Sequence, residues 1–172
     1  MHNHDIIAPP PQRGFKDFLP LLVIFAAILV FTGFMYFRAE NHDAMYAMRI
    51  FMGAFFVGFG GFKVIRWKGV VNAYRIYDLI AMRSRGYAYA YPLIELALGA
   101  AYLLSFQLLI TSWVTLILML AGSAGVAKKL LEKEFVPCAC LGTVFKLPMT
   151  KVTLFEDLLM AVMSLGVIIY TS

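Results

Sequence analysis

At 172 residues, 62% hydrophobic and 15% charged, with a mean hydropathy of +0.79, the chain lies outside the composition of a water-soluble domain. Its net charge of +5 collects in the connections between apolar runs and forms no groove-reading stripe, so nucleic acid is not an expected partner. The length admits one compact membrane domain with no appended soluble domain of useful size.

Residues 1–17, with Pro9, Pro10 and Pro11, read as an extended, solvated leader. The first apolar run covers 18–37 and opens with Pro20, which the first turn of a helix tolerates. Spanning takes roughly 20 residues, and this run exceeds a signal-peptide core and lacks a small-x-small cleavage site after it. The second run covers 45–65. A long polar connection follows, and apolar character resumes near Tyr89 and continues to Leu131. That is twice one span, so the chain is expected to fold back within the charge-free segment 105–113. The last run covers 152–170. The expectation is an all-α, polytopic helical bundle of five spans. Small residues four apart, Ala54 with Gly58 and Ala121 with Gly125, are expected to let helices approach closely. The Phe and Tyr residues are expected on outer faces, with Trp67 and Trp113 at interface depth.

Lysine and arginine give an orientation. Thirteen of the fifteen fall on the amino-terminal side of such a bundle, and only Arg38 and Arg49 fall opposite. The positive-inside rule then predicts an inner-membrane protein with a cytoplasmic amino terminus and a periplasmic carboxyl terminus. It also makes the connection before the last span cytoplasmic.

That connection holds the only two cysteines, in Pro137-Cys138-Ala139-Cys140-Leu141-Gly142. Such a pair can close as a disulfide, exchange with a partner thiol or grip a soft metal ion. Lys128, Lys129, Lys133 and Lys146 lie near it in sequence and favour the thiolate. A cytoplasmic dithiol is kept reduced, which speaks against a structural disulfide. Among the charged residues within the apolar runs, four invite a chemical reading: Lys63, Glu95, Glu156 and Asp157. Thr153 to Glu156 fits a capping box, and Lys63 fits a snorkelling side chain. Glu95 lies deeper, as a proton carrier for thiol chemistry or as a partner of Lys63. An alternative soft-metal set joins Cys138 and Cys140 to Met45, Met48 and Met52, which share one helix face, although methionine commonly just fills packing gaps. No nucleotide-binding loop, Ser-His-Asp order or zinc motif can be assembled, and no resident cofactor is expected; neither a quinone nor Cu(I) has a signature that demands it.

Several segments resemble the MauE/DoxX family of redox-associated membrane proteins. They are Met52 to Lys63 (MGAFFVGFGGFK), Tyr74 to Ala81 (YRIYDLIA), Tyr91 to Leu96 (YPLIEL), Cys138 to Gly142 (CACLG) and Glu156-Asp157-Leu158. The resemblance implies a four-helix membrane domain over 45–171, preceded by an extra helix at 18–37. In a MauE-like subgroup a glutaredoxin-like domain precedes that helix; its absence here implies a separate thioredoxin- or glutaredoxin-like partner. The resemblance further implies thiol–disulfide oxidoreduction in protein maturation, as in methylamine utilisation. Cu(I) or soft-metal transport is the alternative function, and a membrane assembly scaffold the second.

The orientation is directly testable. A membrane-impermeant maleimide applied to intact cells should leave Cys138 and Cys140 unmodified until the inner membrane is opened, and labelling from outside would reverse the topology.

Overall fold

The structure is a computed structural model and describes residues 19–40, 43–65, 67–78, 80–132 and 151–171. The described residues form six helices and no strand: α1 (Leu19–Arg38), α2 (Ala44–Ile65), α3 (Trp67–Tyr77), α4 (Arg85–Leu103), α5 (Leu108–Leu131) and α6 (Lys151–Thr171). Of these, α1, α2, α5 and α6 are long and apolar enough to cross a bilayer. The 19-residue α4 carries Arg85 and Glu95, which lower its apolarity, yet it runs antiparallel to α2 along the same depth. Gly53 of α2 lies beside Gly99 and Leu103, and Gly60 beside Glu95 and Leu96. The result is the polytopic all-helical membrane bundle that the composition predicts.

Helices α5 and α6 pack closely, as do α2 and α4, while α1 packs along α2 alone. Leu21 and Ile28 of α1 are buried, Ile24 and Phe25 pack against the core, and most of its other large side chains face outward. Inside the bundle, α2 supplies much of the core. Phe55 and Phe59 stack with centroids 4.4 Å apart, and Phe56 lies parallel to Tyr102 of α4. The expected outward placement of the aromatics therefore fails for α2. In lipid an outward Phe gains little over Leu, whereas stacked rings fill the space between helices.

The connection between α4 and α5 is tighter than the expected window, running from Leu104 to Gln107. Ser105 and Gln107 both take positive φ, an uncommon conformation for side-chain-bearing residues. Arg49 of α2 explains its hold. Its guanidinium donates to the carbonyls of Tyr102 (3.3 Å) and Leu103 (3.2 Å) and to Ser105 Oγ, and it lies over the Tyr46 ring. Carbonyls orphaned at the end of α4 are thus capped by a cation. At the other end, Ser84 caps α4 by accepting from the Tyr87 N–H, so the helix starts a turn before the apolar run does.

Helix α3 occupies what the sequence presents as polar connection. Val70, Val71, Ala73 and Tyr74 are buried on one face, with Asn72, Arg75 and Ile76 exposed on the other. Asp78 then ends it: its Oδ1 accepts from the N–H groups of Ile80 (2.9 Å) and Ala81 (2.7 Å). Burial pushes the Asp78 carboxyl above the usual carboxylate range, opposed by those two amide bonds.

The expected Ala54 and Gly58 spacing makes only an ordinary contact, since a Cβ on Gly58 would meet Ile28 of α1 at 3.7 Å. Tighter approaches join α2 and α4: a Cβ on Gly53 would lie 2.7 Å from Leu103 Cγ, and one on Gly99 2.8 Å from Val57 Cγ2 and 2.9 Å from Val57 N. Gly99→Ala should therefore force α2 and α4 apart and cost about 1–3 kcal/mol of stability in detergent. Gly61→Ala, with nothing within 4 Å, should leave the unfolding transition unchanged.

Candidate functional site

One ion pair organises the interior. Lys63 Nζ donates to Glu95 Oε1 at 2.5 Å, and the two residues are only 5% and 4% exposed. Lys63 therefore does not snorkel. It stands in the last turn of α2, where the antiparallel register brings it to Glu95 in the middle of α4. The ammonium also lies over two tyrosine rings, Tyr74 of α3 at 5.5 Å and Tyr91 of α4 at 5.4 Å, whose centroids are 4.4 Å apart. Ring faces carry partial negative charge, so the cation is held by a carboxylate and by two aromatic faces in a region that excludes water.

The third side of the site comes from α6. Glu156 and Asp157 line the same cavity as Lys63 and Glu95, with Thr153 one turn earlier and Gly122 of α5 opposite. Gly122 lies close to the carboxyl, since a Cβ there would be in van der Waals contact with Asp157 Oδ2 at 3.4 Å. The expected capping box is corrected by this arrangement. Helix α6 already begins at Lys151, so Thr153 sits inside its first turn, buried against the cavity, and is not the residue that opens the helix. The cavity is about 30 Å³, room for a water molecule and little more. Glu95 Oε2 is buried and has no hydrogen-bond partner among the described residues. Three carboxyls around one ammonium and a water-sized space form a set that can accept, share and release protons.

Cys138 and Cys140 lie outside the described residues, but their tethers do not. The described ends that flank them, the end of α5 and the start of α6, lie at the same end of the bundle as Lys63, Glu156 and Asp157. Of the alternative soft-metal residues, Met52 is fully buried in the core and Met45 and Met48 pack against it, Met48 reaching toward Gly166 of α6. They begin α2, at the opposite end of the bundle from the cysteine-bearing connection. Among the described residues, no group of three or more His, Cys, Asp and Glu side chains is arranged to hold a metal ion.

A family model described as "Methylamine utilisation protein MauE" matches residues 41–170. The chain belongs to the MauE family. The match takes in α2 to α6, hence every residue of the cavity, and α1 precedes it. Family and fold together make this a multi-pass membrane protein linked to methylamine utilisation. No curated protein and no solved structure matches the chain.

Sequence reasoning reaches Lys63, Glu95, Glu156 and Asp157 through the cost of charge in lipid, but it misses Tyr74 and Tyr91 as partners of the ammonium. The ion pair is testable by substitution. Glu95→Gln should strand the buried ammonium and cost about 3–5 kcal/mol, with Lys63→Met similarly costly. Combining both should recover most of that loss in detergent-solubilised unfolding, whereas additive losses would show that the two side chains do not act as a pair.

Proposed function

We propose that the protein is a membrane thiol–disulfide redox protein in which Cys138 and Cys140 exchange electrons with a separate thioredoxin- or glutaredoxin-like protein, in the service of protein maturation. The observation that carries this reading is the convergence at one end of the bundle. The α5–α6 connection, which bears both cysteines, is tethered where Lys63, Glu95, Glu156 and Asp157 surround a water-sized cavity. Dithiol exchange moves protons as well as electrons, and a buried proton-sharing group at the end of the bundle where α5 ends and α6 begins would answer that need.

The exchange balances within the two proteins. One thiolate attacks the partner's disulfide, forming a mixed disulfide and releasing one partner thiolate. The second cysteine then attacks its neighbour's sulfur, closing the Cys138–Cys140 disulfide and releasing the other partner thiolate. This chain is oxidised, the partner reduced, and two protons pass from the cysteines to the partner's sulfurs. The reverse sequence reduces this chain. Glu95 is the inner proton carrier in this scheme, with Glu156 and Asp157 between it and the end of the bundle. Membership in the MauE family supports an association with methylamine utilisation, and the proposed protein client is one whose disulfides must be formed or rearranged.

The test is covalent trapping. Cys140→Ser should accumulate a mixed disulfide through Cys138, or Cys138→Ser through Cys140, visible as a dithiothreitol-sensitive adduct on a non-reducing gel. Absence of an adduct in both variants, with the native chain expressed and folded, would refute the exchange.

A further inference from the structure

A second cavity, distinct from the buried cluster, lies where α3 meets the start of α4. It has a volume of about 300 Å³ and is lined by Val71, Asn72, Arg75, Arg85 and Tyr89. The two arginines come from different helices, and α3 is tied to α4 beside them by a hydrogen bond from Trp67 Nε1 to the Tyr89 carbonyl at 2.9 Å. Neither guanidinium has a carboxylate within ion-pairing distance among the described residues, where the ion pairs are Lys63–Glu95 and Lys129–Glu132. Two planar, permanently charged forks, an amide and a phenol around an open space make a donor set matched to a tetrahedral oxyanion.

The location narrows the ligand. Helix α3 buries Val70, Val71, Ala73 and Tyr74 against the bundle and exposes Asn72 and Arg75, and it follows directly on the end of the membrane-spanning α2. Trp67 starts it, at the depth where indole rings favour the boundary between hydrocarbon and water. Basic pockets at such a boundary meet phosphate at high local concentration.

We propose that Asn72, Arg75, Arg85 and Tyr89 form a binding site for a phosphate group, carried by an anionic lipid headgroup or by a small soluble phosphate. Arg75 and Arg85 bind the phosphate oxygens from two sides and thereby clamp α3 to α4. The site is separate from the cysteine chemistry and stands whether or not that chemistry does.

Thermal unfolding of the full chain in mixed micelles tests it, with phosphatidylglycerol titrated against a phosphatidylcholine background and, in parallel, with inorganic phosphate. A saturable rise in the unfolding midpoint is expected from one of the two titrants. Phosphatidylglycerol alone identifies the lipid headgroup as the source, and an equal response to inorganic phosphate identifies the free anion. Arg75→Gln with Arg85→Gln should weaken the apparent affinity about tenfold or more, as loss of two charge-assisted contacts requires. Arg83→Gln removes an exposed arginine outside the cavity and should leave the affinity unchanged. Asn72→Leu keeps the charge but fills the cavity, and should weaken binding as well. No response to either titrant, or equal weakening by Arg83→Gln, would overturn the site.

Discussion

An ammonium and a carboxylate 2.5 Å apart, closed off from solvent within an apolar bundle, set the conditions that the surrounding helices meet. Each charge alone in that position would be costly, so Lys63 fixes the register of α2 against α4, and Glu95 fixes it in return. Tyr74 and Tyr91 stack over the ammonium, which requires α3 to fold back onto the end of α2 rather than extend into solvent. The close passage of Gly99 against Val57 belongs to the same register, about one turn further along α4. At the far end of α4, Arg49 on its last carbonyls holds the left-handed turn at Ser105 and Gln107.

That register also decides what the site can do. With α2 and α4 locked, α6 brings Glu156 and Asp157 to the remaining side of the cavity, and Gly122 of α5 leaves room for the Asp157 carboxylate. The polar interior therefore draws on α2, α3, α4, α5 and α6 at once, and the described end of α5 and start of α6 lie at that end of the bundle. All of these helices lie within the segment matched by the MauE model, whereas α1, packed on α2 alone and mostly outward-facing, lies before it.

The spans were legible because lipid imposes a simple rule: about 20 apolar residues per crossing. The ends of α1, α2 and α6 fall within about a residue of the apolar runs for that reason, as helix ends generally allow. The start of α4 was not legible in the same way, since Ser84 caps the helix in a polar stretch that hydropathy assigns to a connection. Helix α3 escaped for a related reason: its buried Val70, Val71, Ala73 and Tyr74 alternate with exposed polar residues, so its average looks polar while its face is not. The charged members of the site could be found one by one from their cost in hydrocarbon. Their grouping could not, because it depends on which helix faces meet: that meeting runs through Gly53 and Gly60 of α2 and Gly99 of α4, whereas Gly58 lies beside Ile28 of α1.

The account rests on the buried pair and the cysteine connection working as one unit. The most direct measurement is the rate of alkylation of Cys138 and Cys140 in membranes across a pH series. It compares the native chain with the Lys63→Met, Glu95→Gln double variant, in which the fold is retained and the buried ion pair is gone. Coupling predicts an alkylation rate lower by about tenfold or more, with a displaced pH profile, in the double variant. Superimposable profiles would show that the buried cluster serves packing alone and that the thiols act without it.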